Sequence, residues 1–107
     1  VKVKAWGTTA ANGNNKTLRI DVGGSTCATL TAATNNGVLT VETTILRTGA
    51  ATQECGGSGI ASSGTVSATR AAPTEDTTLS MTVSAKGTTP TASGDLTLRG
   101  MTVELIN

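Results

Sequence analysis

Histidine, phenylalanine and tyrosine are absent from this 107-residue chain, and tryptophan occurs once, as Trp6. Without His, the usual general base is missing and the common zinc ligand sets cannot be assembled. Cysteine occurs twice, at Cys27 and Cys55, with no CxxC spacing, so neither a metal site nor a cofactor is expected. These two thiols are either one disulfide or two small half-buried residues. No apolar run approaches the roughly 20 residues that cross a bilayer as a helix, so membrane insertion is not expected. A basic stripe is missing too: eight basic and seven acidic side chains are scattered singly for a net charge of +1, which argues against a nucleic-acid partner.

The acidic residues offer little to catalysis. A glycosidase needs two carboxyls facing each other across a cleft, and the only adjacent pair, Glu75-Asp76, points to opposite faces if extended. Ser58, Ser62 and Ser63 have no His to activate them and no strand-turn-helix elbow around them. The expectation is a non-enzymatic chain.

What the chain does have is Thr, its commonest residue, with Ala and Gly close behind. That composition suits pleated, half-solvated strands and tight turns. Apolar residues alternate at period two, and no stretch holds helical spacing for more than a turn. In the first strand Val1, Val3 and Ala5 share one face, opposite Lys2, Lys4 and Trp6. A second strand over 17–22 turns Leu18, Ile20 and Val22 inward and stops at Gly23-Gly24. A third spans 26–33. The fourth, 38–48, places Leu39, Val41 and Ile45 on one face and Val38 and Leu46 on the other, so its second face is expected to meet another sheet or another chain.

Short strands are expected over 51–55 and 64–71, separated by Gly56-Gly57-Ser58-Gly59 read as a hairpin loop. Residues 77–86 read as a half-buried strand with Leu79, Met81, Val83 and Ala85 inward. In the last strand, 95–106, apolar parity switches across Arg99-Gly100, the mark of a β-bulge. Turn signals lie at Asn12-Gly13, where both residues tolerate positive φ, and at Asn35-Asn36-Gly37. About eight strands in one domain over 1–107 predict an all-β, antiparallel β-sandwich, jelly-roll-like. The chain opens without Met in strand-like alternation and is expected to be a piece of a longer protein.

The segment Val3-Lys4-Ala5-Trp6-Gly7-Thr8-Thr9-Ala10-Ala11-Asn12, continuing through Asn15-Lys16-Thr17-Leu18, resembles the C-terminal β-sandwich domains of bacteriophage tail fibres and tailspikes. Arg47-Thr48-Gly49-Ala50-Ala51-Thr52-Gln53, Asp95-Leu96-Thr97 and Val103-Glu104-Leu105 carry the same likeness. The resemblance implies a homotrimer about a fibre axis at the virion tail tip, assembled in the host cytoplasm and later extracellular. It implies a role in trimer stability, in recognising a bacterial surface glycan or other receptor, or in both. Folding in a reducing cytoplasm would argue against a Cys27–Cys55 disulfide.

Two classes stand beside it: a secreted or surface β-sandwich adhesin or structural subunit, for which an intact disulfide would count, and a small monomeric secreted binding or inhibitor protein. Trp6, Val38 and Leu46 are the expected subunit interface. The turns separated by an even number of strands should meet at one end. Receptor contacts are therefore expected from Asn12, Asn14, Asn15, Asn35, Asn36, Thr88, Thr89 and Thr91.

Overall fold

In a computed structural model that describes residues 1–105, eight strands form two antiparallel sheets, and no helix occurs among the described residues. They are β1 (Lys2–Thr9), β2 (Lys16–Val22), β3 (Ser25–Ala32), β4 (Val38–Gly49), β5 (Thr52–Ala61), β6 (Val66–Ala71), β7 (Val83–Thr88) and β8 (Leu96–Glu104). The larger sheet runs β6-β5-β4-β1-β8 and the smaller β3-β2-β7. The β-sandwich read from the alternation is therefore the fold. Ile106, placed at the end of the last strand by the sequence pattern, lies outside the described residues.

Parity decides which side chains meet between the sheets. From the large sheet, Val3, Ala5, Leu39, Val41 and Ile45 are buried; from the small one, Leu18, Ile20, Val22, Ala28 and Leu30. All are aliphatic and small, so the layers must approach closely to fill the interior. Glycine makes that approach possible. Gly57 and Gly59 face inward in the middle of β5, and a methyl group on Gly57 would collide with the Cys27 carbonyl oxygen and the Ala28 side chain. This corrects the hairpin expected at 56–59: β5 runs straight through the glycines, which are there because β3 packs on them.

Cys27 and Cys55 are joined as a disulfide that links β3 of one sheet to β5 of the other. The alternative of two free thiols is thus excluded, and both sulfurs lie in the core beside the glycine contact.

The strand expected at 77–86 is shorter than its pattern. β7 begins only at Val83, and Leu79 is 70% exposed. Local bonds compete with the ladder there. Thr77 donates its amide and hydroxyl to the Ala50 carbonyl, Asp76 accepts from the amide and hydroxyl of Thr78, and the Leu79 amide turns back to the Asp76 carbonyl.

The bulge expected at Gly100 is present. Trp6 pairs with Gly100 and Gly7 with Leu98, leaving Arg99 as the extra residue. The Trp6 ring lies directly over Gly100, where a methyl group would sit inside the indole.

Candidate functional site: an uncovered sheet face and a knitted loop end

The even-numbered residues of β1 and β4 point away from the core, and no layer among the described residues covers them. Val66, Ile60, Thr40, Trp6 and Gly100 stand directly opposite one another in register, forming one row across all five strands. Ile60 is 57% exposed and Val66 69%. The next row brings Ala68, Ser58, Glu42, Lys4 and Thr102 into line. Lys4, Trp6, Val38, Thr40 and Thr102 line a shallow depression on this wall, and a second one beside it runs past Glu42, Ser58, Ile60 and Val66.

Trp6, Val38 and Leu46, the interface expected from sequence, all lie on this outward face, with Trp6 half-buried and the other two exposed. The dual-faced pattern of β4 is explained without a second covering sheet: its inward residues build the core and its outward apolar residues stay in solvent. Ile60 and Val66 belong to the same surface. They were missed because the inward glycines of 56–59 read as a loop rather than as one half of an alternation.

Four tips come together at one end. The Ala10 amide donates to the Asp95 carbonyl, the Asn36 amide to the Ala10 carbonyl, and the Thr9 amide to the Gly37 carbonyl. These bonds tie the 10–15 and 34–37 tips, which carry the expected Asn residues, to Asp95, the residue that follows the 87–94 tip bearing Thr88, Thr89 and Thr91. The β5–β6 turn joins them through a 2.8 Å hydroxyl contact between Thr34 and Ser63.

The end is organised by a buried pair that sequence reasoning overlooked. Lys16 is fully buried, and its ammonium donates to the backbone carbonyls of Asn12 (2.8 Å) and Thr34 (2.9 Å). Asp95, 4% exposed, accepts from the side-chain amides of Asn12 (2.8 Å) and Asn14 (3.0 Å). The hydrogen bond from Asn14, then that from Asn12, and to a smaller degree the Lys16 charge hold the Asp95 carboxyl below the ordinary carboxylate range, against the opposing effect of burial. A signal for Lys16 existed: the parity that turns Leu18, Ile20 and Val22 inward turns Lys16 inward too.

The expected receptor residues thus divide. Asn12 and Asn14 spend their side-chain amide groups on Asp95, and the Asn12 side-chain carbonyl also accepts from the Asn14 backbone amide at 3.1 Å. That local bond shapes the 12–14 turn, and neither Asn12 nor Gly13 takes the positive φ anticipated for an Asn-Gly step. Asn36 does, at φ 49°. Asn15, Asn35, Asn36, Thr88 and Thr91 are exposed and Thr89 half-buried.

The outer face of the small sheet is different in kind. Asp21 receives Arg19 and Lys86, each at 3.2 Å, and a hydrogen bond from the Thr26 hydroxyl, while Thr17 and Thr31 pair their hydroxyls at 2.7 Å. Its charges pair within the sheet, although the buried Arg19 Nε faces Asp21 as an ion pair without a hydrogen bond. No protein-family model, curated protein or solved structure matches the chain.

Proposed function

We propose that this chain is a non-catalytic binding and assembly module of a surface or secreted structure, a β-sandwich braced between its sheets and presenting its five-stranded face to partners. The observation that carries the reading is the Cys27–Cys55 link between β3 and β5. Such bonds persist in oxidising compartments and serve small domains whose cores are thin. An all-aliphatic interior with no Phe or Tyr is such a core.

The uncovered wall supports the binding half of the reading. Proteins that act alone rarely expose a large contiguous apolar patch, and here Val66, Ile60 and Trp6 stand in one row broken only by Thr40. Here Trp6 supplies one rigid ring, Lys4 and Glu42 supply charge, and Thr40 and Thr102 supply hydroxyls within one surface. A saccharide of a bacterial surface suits this mixture, with one ring to stack on and hydroxyl-bonding groups around it.

The trimeric tail-fibre tip is the second reading, favoured by Trp6, Val38 and Leu46 sharing one outward face. In that case the wall is an intersubunit surface about a threefold axis. Labelled protein applied to bacterial cells, together with its mass from light scattering, separates the two. Adsorption that falls when Trp6→Ala and Lys4→Ala are introduced, with no trimer in solution, supports the surface module. A trimer abolished by Trp6→Ala supports the fibre tip. Parent-like adsorption by both variants would overturn the choice of face.

A further inference from the structure

The four sheet edges are not equivalent. β6 and β7 have six residues each, and β3 has eight but packs across β4, β5 and β6. β8 is the longest edge, with nine residues. Its core-side positions are only partly covered: Leu98 is 46% exposed, Val103 58% and, just beyond the strand, Leu105 82%. Unpaired backbone beside exposed apolar groups is a template for another strand.

The sequence of that edge is self-complementary. In an antiparallel pairing of two copies with Thr102 opposite Thr102, Met101 faces Val103 of the other copy and Val103 faces its Met101. These residues share the inward face, since they pair with the inward Ala5 and Val3 of β1. Across the bulge, where Arg99 and Gly100 together take the place of one residue, Leu98 falls opposite Leu105. Leu98, Met101, Val103 and Leu105 each then meet an apolar partner. On the outward face Glu104 arrives beside Arg99 and Gly100. Arg99 donates to the Thr8 hydroxyl at 2.9 Å, which holds it on that face. Neither Arg99 nor Glu104 belongs to an ion pair among the described residues; Lys2, opposite Glu104 on β1, reaches toward Glu42. The two-fold therefore creates two Arg99–Glu104 pairs from charges that form no ion pair among the described residues of one copy.

We infer that β8 is a self-pairing edge: a second copy of this chain adds its own β8 antiparallel about a two-fold axis at Thr102, making one continuous ten-stranded sheet. The interface is isologous, so it closes as a dimer rather than growing into a fibre. The two outward walls become coplanar, which places two copies of the Trp6 surface on one platform and gives weak contacts avidity. The inference deepens the assembly half of the proposed function and rests on it; the binding half stands independently on the Trp6 wall.

Charge reversal tests it on the intact chain. The parent is expected to sediment as a dimer at micromolar concentration. Arg99→Glu and Glu104→Arg should each weaken dimerisation by about tenfold, because like charges replace opposite ones at two cross-strand sites, and the double reversal should restore it. Thr102→Cys should form an intermolecular disulfide linking residue 102 to residue 102, identified by peptide mass with Cys27–Cys55 left intact. Far-ultraviolet circular dichroism at monomeric dilution checks that each variant is folded. A parent that stays monomeric at high micromolar concentration would overturn the inference and show that the bulge and charges blunt the edge. A dimer or trimer that is indifferent to both reversals, and that the Thr102→Cys substitution leaves unlinked, would overturn it equally, placing assembly elsewhere. Neither result touches cell adsorption by the Trp6 wall.

Discussion

The two outer faces of this sandwich are built from the same strand chemistry and end up opposite in character. On the three-stranded sheet, Asp21 gathers Arg19, Lys86 and Thr26, and threonine hydroxyls pair across strands. On the five-stranded sheet, beside the ion pairs Lys2–Glu42 and Arg70–Glu54, Trp6 is half-buried and Val38, Leu46, Ile60 and Val66 are exposed. Alternation alone would make both faces polar. The proposed binding role of the larger sheet's outward positions rests on this difference, whereas those of the smaller sheet are engaged with one another.

The largest effect should come from forcing the two layers apart. Gly57→Val places a branched side chain where the Cys27 carbonyl and the Ala28 methyl already lie, backbone against backbone, with no flexible group to yield. Loss of cooperative unfolding in a thermal melt is expected. Gly56→Val, one residue along and pointing to open space, should melt close to the parent.

Removing the brace comes next. A cross-link spanning 28 residues stabilises by about 3.5 kcal/mol on the chain-entropy estimate. Replacing both cysteines with serine should therefore lower the melting temperature on the order of 15 °C. A fall of only a few degrees would mean that the sheets hold without it.

A direct contrast between the faces follows. Asp21→Ala leaves Arg19 and Lys86 without their carboxylate at a site 5% exposed, and should cost about 1–3 kcal/mol in chemical denaturation. Ile60→Thr on the other wall should change stability by no more than ~0.5 kcal/mol, since it removes surface already in water, yet should weaken adsorption to cells. Equal stability losses at the two positions would erase the distinction drawn between the faces.

The smallest effect concerns acid. Asp95 is more acidic in the folded chain than the ordinary aspartate value of about 3.9, so its contribution is complete above about pH 4 and is lost as the pH falls through the depressed folded value. Amide exchange at Ala10 and Asn36, whose bonds tie the loop end, should accelerate there before exchange in the β2 core does. Asp76 at the other end is lowered in the same sense by the Thr78 hydroxyl and then the Thr78 amide, so Asp95→Asn should abolish the effect only at the loop end.

Much of the fold was legible because burial in a sandwich is a parity property. Val3, Ala5, Leu18, Ile20, Leu39 and Val41 fall inside by position, and the Arg99–Gly100 bulge announced itself as a parity switch. What escaped depends on contacts between elements distant in sequence. Gly57 and Gly59 read as a loop because their purpose lies in β3, about 30 residues away. Leu79 and Met81 read as strand because the bonds from Thr77 to Ala50 that hold this segment off the ladder are invisible in a pattern. The same holds for Asn12 and Asn14, whose free-looking amides are claimed by Asp95, roughly 80 positions downstream.

The proposed surface or secreted role depends on the Cys27–Cys55 brace being oxidised in the cells that make the protein, and the state of those two thiols can be read there. Intact cells are treated with a membrane-permeant alkylating reagent before lysis, and the mass of the chain is compared with and without prior reduction. The expected result is no alkylation of Cys27 or Cys55 until a reductant is added, and then both. Two alkylated cysteines in the unreduced native protein would contradict the account and return the chain to the cytoplasmically assembled fibre tip.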